Sequence, residues 1–338
     1  MKTAPVRESS ASASAALNTL NVSSPSLRGH LKIARIDHWI KNVFVLPGIV
    51  VALSLDPSQL TYGLWLRIIV GLLSTCLVAS SNYVINEIID ASADIYHPTK
   101  FARPVPSGDV SMPWAYAQWI ALMIVGVGLA FTISFSFAAT MVVLWIMGCV
   151  YNIPPLRSKD LPYMDVLSEA VNNPLRMLSG WFIVGTTAVP PASLLVSYWM
   201  VGCYFMAIKR FAELRCIANR VTAVAYRKSF SYYTEERLLV SVMFYASAAM
   251  LFFGAFIMRY RLELVLVFPL VALVMAVYLS LAFKENGAAH APERLTREPV
   301  LMTAVIICAL WMIVLLLWDI PILHTIFTPS VFNNARVW

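Results

Sequence analysis

Charged residues are scarce in this chain: Asp, Glu, Lys and Arg make up 13% of its 338 residues. A soluble domain carries roughly 25% charged residues. Hydrophobic residues account for 59% of the sequence, and the mean hydropathy is +0.73. The apolar runs reach the length of about 20 residues that a membrane-spanning helix needs. The composition therefore argues against a soluble globular protein and predicts an all-α, polytopic membrane protein.

Cysteine is also scarce, and the five cysteines form neither a CxxC pair nor a cluster with histidine. They are scattered through apolar runs, which is typical of small buried hydrophobic residues. This pattern predicts neither a zinc site nor a disulfide framework. His38 and His97 are isolated as well, and the pattern gives them no catalytic or metal-binding role.

Acidic residues are outnumbered by basic ones, and the formal net charge is +7. In a membrane protein such an excess first sets topology and contacts with anionic lipids. Membrane lipids are therefore predicted partners, and no nucleic acid partner is expected.

Residues 1–27 are polar, rich in Ser and Ala, and lack the continuous apolar core of a signal peptide. They predict a disordered cytoplasmic tail, followed by one transmembrane domain over residues 28–338. Nine transmembrane helices are expected in this domain, at residues 38–55, 62–90, 113–134, 137–153, 164–188, 192–216, 236–258, 262–283 and 300–325.

Lysine and arginine concentrate in alternate connections between these spans, whereas the opposite connections carry little charge apart from Arg259 and Arg261. The positive-inside rule then places the N-terminus in the cytoplasm and the C-terminus outside, across the inner (cytoplasmic) membrane. Polar residues recur at the cytoplasmic ends of the second, fourth and sixth spans. This recurrence predicts a helix bundle around one cytoplasm-facing cavity.

The second span ends in a row of oxygen-bearing side chains, Asn86, Asp90 and Asp94. Four-residue spacing puts all three on one face of a helix. Mg²⁺ prefers such oxygen ligands and completes its shell with water and substrate phosphates. Lys100 and Arg103 follow directly and could hold the outer phosphate oxygens. The row predicts Mg²⁺ and a phosphate-bearing substrate; the alternative is that these carboxylates cap the helix in solvent.

A second polar group surrounds the start of the fifth span. Asp165 and Glu169 are four residues apart, and an arginine inside an apolar segment, here Arg176, normally has an anionic partner. We interpret Asp165, together with Asp90 and Asp94, as a candidate catalytic carboxylate. The alternative is a structural ion pair between Arg176 and Glu169 or Asp165. The substrate-binding candidates of this group are Arg157, Lys159, Asn173 and Arg176.

Two more charged sites lie at the ends of spans. Lys209, Arg210 and Glu213 end the sixth span, where they could bind substrate or could simply extend their charged ends into the membrane interface. Lys41 opens the first span beside Trp39, which fits either a lipid-phosphate contact or an ordinary interface anchor.

The Asn86–Asp90–Asp94 row resembles the first aspartate-rich motif of the UbiA superfamily of membrane prenyltransferases. The resemblance covers residues from about 30 to about 320. Within the superfamily, the chain is most similar to decaprenyl-phosphate phosphoribosyltransferases. Three segments carry this similarity: DHWIKNVFVLPG, NYVINEIIDASADIYHPTKFARPVPSG, and AIKRFAEL followed by YRKSFSYYTEERL.

The resemblance implies that residues 28–338 form a UbiA-like transmembrane catalytic domain. Ordinary prenyltransferases of the superfamily carry a second aspartate-rich motif where this chain has Lys209 and Arg210, and basic groups there suit additional phosphate. The implied reaction is Mg²⁺-dependent transfer of 5-phosphoribose from phosphoribosyl pyrophosphate to polyprenyl phosphate, which supplies a lipid-linked pentose such as an arabinose donor for the cell envelope.

Two other functions remain open at this point. One is transfer of a prenyl group from prenyl diphosphate to an aromatic or other small acceptor. The other is a non-enzymatic lipid-phosphate carrier, although no paired broken helices in matching halves favour a transporter. Assembly into a homo-oligomer is also left open.

Overall fold

The structure is a computed structural model that describes residues 24–94, 102–186, 188–217, 219–284, 295 and 297–327. This part of the chain consists of helices and contains no β-strand, which confirms the predicted all-α class. The predicted tail lies mostly outside the described residues. The first helix begins at Leu27, where the hydroxyl of Ser26 accepts a hydrogen bond from the Gly29 amide.

The helices follow the apolar segments of the sequence closely. The α-helices of the described residues are α1 (Leu27–Ile33), α2 (Leu46–Leu55), α3 (Leu64–Asp94), α4 (Met112–Phe131), α5 (Phe135–Asn152), α6 (Met164–Ala170), α7 (Asn172–Ile183), α8 (Ala192–Cys216), α9 (Arg220–Tyr226), α10 (Glu235–Tyr260), α11 (Phe268–Ala282), α12 (Pro299–Leu317) and α13 (Pro321–Phe327). Short 3₁₀ helices occupy Ile36–Val45, Pro57–Gln59, Ser158–Asp160, Lys228–Ser231 and Leu262–Val267.

Eight helical segments among the described residues are long and apolar enough to cross a membrane. The difference from the nine predicted spans arises at residues 164–188, where the chain forms two short helices instead of one. Pro174 lies in the first turn of α7 and has no amide to donate to the preceding turn. The Asn172 side chain also donates to the Glu169 carbonyl at 2.9 Å. The helix is therefore interrupted at Val171, and the count of nine is not confirmed.

Helix α3 is longer than a membrane requires. Its 31 residues extend for about 46 Å at a rise of about 1.5 Å per residue, whereas the hydrocarbon core of a bilayer is about 30 Å thick. The last turns of α3, which carry Asn86, Asp90 and Asp94, therefore extend past the apolar layer. Because of this excess length, the segment that carries these candidate metal ligands is in contact with water.

Small residues allow the helices to approach each other closely. Gly48 of α2 lies directly against the carbonyl of Met177, and Gly180 of α7 lies against the carbonyl of Val45. A side chain at either glycine would overlap the facing backbone, so both positions require glycine. Small residues at helix contacts are the usual means of association in a lipid environment, where apolar burial alone gives little driving force.

Candidate active site

Charged side chains converge at one end of the bundle. We call it the polar end, and it consists of the end of α3, the end of α8, and the connections 102–111, 153–163 and 219–234. Contacts join these segments across the chain: Asn86 to Asn152, Asp90 to Lys159, and Tyr163 to Tyr233. Arg210 of α8 also donates to the Tyr151 hydroxyl of α5 at 3.2 Å. The predicted convergence of polar residues from the second, fourth and sixth spans is thus observed.

The first cluster at this end is built around Asp90, and we call it the Asp90 group: Asn86, Asp90, Asn152, Arg157 and Lys159. The amide of Asn86 donates to Asp90 at 3.1 Å and to Asn152 at 2.6 Å. Arg157 contacts Asp90 at 3.3 Å, and the Lys159 ammonium contacts the same carboxylate oxygen. The 3.1 Å contact confirms that Asn86 and Asp90 share one helical face.

The next turn of α3 has its own cationic partner. Arg103 forms an ion pair with Asp94 at 2.5 Å, and only 3% of the Asp94 side chain is exposed. Glu87 lies on the same side of α3 as Asp94, seven residues earlier, and accepts the Val105 amide at 3.3 Å. Arg103 therefore lies beside the predicted metal face, whereas Lys100 lies outside the described residues.

Arg157 and Lys159 are placed by the tight connection after α5. The Pro154–Pro155 pair ends α5, since proline cannot continue the hydrogen bonding of a helix. Arg157 adopts a left-handed conformation with φ 26° and donates to Asp160 at 3.1 Å. Burial lowers the pKa of the Lys159 ammonium to about 8, against the opposing effect of Asp90. The group still carries its charge at neutral pH.

The second cluster at the polar end is mostly buried. We call it the Asp165 group: Asp165, Arg210, Glu213, Arg227, Ser229 and Tyr233. Tyr233 donates to Asp165 at 2.5 Å, Ser229 at 3.1 Å and Arg210 at 3.2 Å. Arg210 also donates to Glu213 at 2.8 Å. The Asp165 side chain has no exposed surface, so it holds α6, α8 and the 219–234 connection together.

Arg227 links the two clusters. Its guanidinium lies 3.7 Å from Asp165 and donates to the Tyr151 hydroxyl and the Lys159 carbonyl, both at 3.4 Å. Burial opposes its charge, but the surrounding tyrosines and carboxylates raise the pKa of Arg227 well above its usual value. Its buried Nε atom has no hydrogen-bond partner among the described residues. Arg227 thus remains a fixed cation behind the Lys159 loop.

The remaining predicted residues fall in two places. Arg176 donates to Asn42 at 3.0 Å, and among the described residues it forms no ion pair with Glu169 or Asp165. Asn173 lies against Gly202 of α8. Lys41 lies beside His38, with 3.0 Å between the ammonium and the ring nitrogen Nδ1. Lys209 is half-buried at the end of α8.

Four residues of these clusters escaped the sequence analysis: Asn152, Arg227, Ser229 and Tyr233. Asn152 carried a usable signal, because it is the last residue before the Pro-Pro connection and so ends its span at the same level as Asn86. Arg227, Ser229 and Tyr233 lie in YRKSFSYYTEERL, which carried the family resemblance, but the sequence pattern assigned none of them a role in the site. Only the tertiary structure brings this connection onto Asp165.

The donor set at the end of α3 fits Mg²⁺. Mg²⁺ is usually bound through one or two carboxylates, with water and substrate phosphates as the other ligands. Asn86, Asp90 and Asp94 offer one amide and two carboxylate groups from successive turns. No group of three or more His, Cys, Asp or Glu side chains in the described part of the chain is arranged to hold a metal. Substrate oxygens would therefore have to complete the shell.

Fold and site together define a class: a multi-pass membrane protein with an ionic site at one end of its helix bundle. A model of the UbiA prenyltransferase family matches residues 43–296. The chain belongs to this family and is a membrane-embedded transferase.

Two curated relatives have the same name. The chain is 30% identical over 227 residues to a decaprenyl-phosphate phosphoribosyltransferase of Mycobacterium tuberculosis, covering 67% of this chain and 72% of the relative. It is 28% identical over 232 residues to the protein of that name from Mycolicibacterium smegmatis, covering 67% and 69%.

The fold also has solved counterparts. A UbiA homolog from Archaeoglobus fulgidus, solved with DMAPP and Mg²⁺, superimposes with a TM-score of 0.65 and 22% identity. The superposition covers 85% of this chain and 96% of the homolog. At this identity the likeness establishes the shared fold. Divalent metal is thus present in structures of the family.

Proposed function

We propose that the protein transfers 5-phosphoribose from phosphoribosyl pyrophosphate to the phosphate of a polyprenyl lipid. The observation that carries this proposal is the set of three cations on the metal-ligand face of α3: Arg157 and Lys159 on Asp90, and Arg103 on Asp94. A donor with three phosphate groups needs more cationic partners than a prenyl diphosphate. The names of the two mycobacterial relatives support the same donor and acceptor.

In this proposal Asn86, Asp90 and Asp94 would hold Mg²⁺, which would supply charge neutralisation for the leaving pyrophosphate. Arg157, Lys159 and Arg103 turn from the carboxylates to the phosphate oxygens of the donor when it binds. Such exchange is feasible for Arg157 and Arg103, whose long side chains are 20% and 17% exposed; the Lys159 side chain is 5% exposed and lies closest to Asp90. Charge-assisted contacts of this kind orient phosphates strongly.

The transfer itself needs no proton movement. An anionic oxygen of the lipid phosphate attacks C1 of the ribose, and a new C1–O bond forms. The C1–O bond to pyrophosphate breaks, and pyrophosphate leaves with the bonding electrons. The polar end contributes position and charge, which are the main contributions that enzymes make to transfers of phosphorylated groups. The product is a lipid-linked pentose of the kind that serves as an arabinose donor.

The second cluster receives a different role in the proposal. Arg210, Glu213 and Asp165 hold each other, so we assign them to positioning rather than to contact with the donor. Lys209 is left as the candidate donor contact at the end of α8, together with Asn173 and Arg176 on the facing helix α7. The positive-inside rule puts the polar end in the cytoplasm, where both Mg²⁺ and phosphorylated sugars are found.

The test supplies the purified protein with labelled phosphoribosyl pyrophosphate and polyprenyl phosphate, and in parallel with labelled prenyl diphosphate and aromatic acids. We expect Mg²⁺-dependent label in the lipid fraction from the first pair only. Arg157→Gln should raise the donor KM roughly ten- to hundredfold, because one charge-assisted contact is lost.

Three results would contradict the proposal. Turnover of prenyl diphosphate without use of phosphoribosyl pyrophosphate would indicate a prenyltransferase. Binding of polyprenyl phosphate without turnover of any donor would indicate a carrier. An unchanged donor KM in Arg157→Gln would remove this residue from the donor site.

A further inference from the structure

A third group of basic residues lies beside Tyr83, which precedes Asp90 by two turns on the same face of α3. Its centre is Tyr83, so we call it the Tyr83 group: Arg35, His38, Lys41 and Tyr83. The Arg35 guanidinium lies 5.8 Å and the Lys41 ammonium 6.0 Å from the centre of the Tyr83 ring. The His38 ring meets the same ring edge-on, with 5.4 Å between centres. Three basic residues of one short segment thus surround one aromatic ring.

The 3₁₀ conformation of Ile36–Val45 is what aligns these residues. In a 3₁₀ helix, side chains three residues apart lie directly above one another. His38 and Lys41 therefore share one face, and Arg35 precedes them by the same interval. An α-helix would spread the three over about 120°. The distorted helix therefore gathers basic groups that a regular one would disperse.

The other two faces of this segment have separate roles. Trp39 donates to Ser80 at 2.9 Å and Asn42 donates to Cys76 at 3.1 Å, which fixes the segment to α3. Ile40 and Val43 lie on the third face and are 72% and 50% exposed. An apolar surface therefore lies beside the basic one, on a segment that is firmly attached.

The backbone of Arg35 adopts a conformation that arginine rarely takes. It has φ 51° and ψ 51°, a left-handed conformation that is rare for residues other than glycine, asparagine and aspartate. Conformations of this kind cost about 1–3 kcal/mol and occur often at ligand-binding sites. Among the described residues, no carboxylate forms an ion pair with Arg35.

The electrostatic surroundings add further positive charge. Lys209 and Arg103 lie within electrostatic range of His38, and Arg176 lies within range of Tyr83. The acidic neighbours are Glu169, Glu87 and Asp37; Glu87 accepts a backbone amide, and Asp37 is 75% exposed. The Asp90 group is built around a carboxylate that is 18% exposed, whereas the carboxylate in contact with the Tyr83 group is that of Asp37, which lies 3.5 Å from His38 and is 75% exposed.

We infer that the Tyr83 group binds the phosphate of the polyprenyl acceptor, with Arg35 and His38 as binding residues beside Lys41. This inference rests on the proposed function. The Lys41 ammonium donates to Nδ1 of His38, so the ring proton is on Nε2. Nε2 lies 3.5 Å from the exposed Asp37 carboxylate, and a phosphate would replace that carboxylate as the acceptor. The lipid tail lies along the exposed face of Ile40 and Val43. Tyr83 and Asp90 share one face of α3 two turns apart, so the acceptor phosphate lies on the same side of the helix as the donor.

The first experiment uses Arg35→Asn. Asparagine adopts the left-handed conformation more readily than arginine does, so the backbone is retained and the charge is lost. We expect the acceptor KM to rise about tenfold or more, while the donor KM stays within about twofold and thermal stability does not fall. Arg35→Lys, which keeps the charge, should recover part of the acceptor affinity.

Lys32→Asn is the matched control, because Lys32 is exposed on α1, just before the segment, and loses the same charge. We expect its acceptor KM to match the wild type. If Arg35→Asn and Lys32→Asn raise the acceptor KM equally, the effect comes from general surface charge, and the inference is overturned. A rise in the donor KM of Arg35→Asn would instead assign the site to the sugar phosphate.

The second experiment measures binding without any donor, in nanodiscs of phosphatidylcholine. Decaprenyl phosphate, uncharged decaprenol and phosphatidylglycerol are titrated against the wild type, Arg35→Asn and His38→Gln. We expect binding of decaprenyl phosphate that weakens in both variants, and no comparable effect with the other two lipids. Equal competition by phosphatidylglycerol would identify a site for membrane lipid, which contradicts the inference.

These outcomes separate this inference from the proposed function. Suppose that the protein binds decaprenyl phosphate, that Arg35→Asn and His38→Gln weaken this binding, and that phosphoribosyl pyrophosphate is not used. This result would support the lipid-phosphate site and contradict the proposed reaction. If Arg35→Asn and His38→Gln catalyse phosphoribosyl transfer with a normal acceptor KM, the proposed reaction is supported and the acceptor site at the Tyr83 group is contradicted. A wild type that does not bind decaprenyl phosphate overturns the inference directly.

Discussion

The Asp90 group and the Asp165 group contain similar residues but differ in their access to solvent. Asp90 and Arg157 have side chains that are 18% and 20% exposed, whereas Asp165 and Arg210 are 0% and 2% exposed. The cations on Asp90 come from one loop through single contacts. Asp165 receives Tyr233, Ser229 and Arg210 from two different parts of the chain.

This difference in exposure determines which carboxylate can exchange its cationic partners. A partly exposed ion pair loses little when its cation moves to another anion, because water compensates for part of the change. A fully buried pair cannot separate without leaving an uncompensated charge, which costs several kcal/mol. The Asp90 group is therefore suited to receiving a metal and phosphates, and the Asp165 group is suited to holding its neighbours in place.

The largest expected effect is that of Asp90→Asn on turnover. Asparagine keeps the shape of the side chain but removes the charge that would hold Mg²⁺. We expect kcat/KM to fall by about a thousandfold or more, which corresponds to the several kcal/mol that a metal contributes to charge stabilisation. The measurement is phosphoribosyl transfer at saturating Mg²⁺, with size-exclusion chromatography to confirm folding. Near-wild-type turnover would show that Asp90 is not a metal ligand.

Asp165→Asn should affect stability rather than substrate affinity. Loss of the charge leaves the buried Arg210 with Glu213 as its remaining close carboxylate, and breaking a buried pair costs about 3–5 kcal/mol. We expect a clearly lower unfolding temperature in detergent, with an unchanged donor KM for the fraction that stays folded. A raised donor KM at normal stability would instead support contact between Asp165 and substrate, as expected for a catalytic carboxylate.

Tyr233→Phe sharpens the same comparison with a smaller change. The Tyr233 hydroxyl donates to Asp165 at 2.5 Å and accepts the Tyr163 amide at 2.6 Å. Its removal leaves both groups short of a partner, and we expect a loss of about 1–3 kcal/mol in the free energy of unfolding. Chemical denaturation of both proteins in the same detergent measures this difference. Equal stability would show that Ser229 and Arg210 suffice to hold Asp165.

The smallest effect is expected for Lys228→Met. Lys228 contacts Asp160 at 3.5 Å, and its side chain is 78% exposed. Exposed pairs contribute less than about 1 kcal/mol and weaken with salt. We expect the unfolding temperature to stay close to that of the wild type, and the small difference to vanish at high salt. A large loss here would mean that exposure does not decide the strength of these ion pairs.

The sequence by itself determined the all-α class, most of the membrane spans and the shared face of Asn86 and Asp90. These properties follow from local periodicity and composition, which need no knowledge of distant contacts. It also gave the family, through motifs that lie along continuous segments. Prediction was weakest where a local break overrides a long apolar run, as at Pro174 in the fifth predicted span.

The tertiary structure alone decided which charges face each other. An ion pair of Arg176 with Glu169 or Asp165 was the alternative to a substrate-binding role, but Arg176 donates to Asn42, which is 134 residues away in sequence. Asp165 instead accepts hydrogen bonds from Tyr233 and Ser229 of a distant connection. Arg35, His38 and Lys41 are aligned by a 3₁₀ helix, which their spacing in the sequence did not predict. Ion pairs depend on distances of a few ångströms between segments far apart in the chain. Helical periodicity fixes the direction of a side chain on its own helix, and only the packed bundle fixes what it meets.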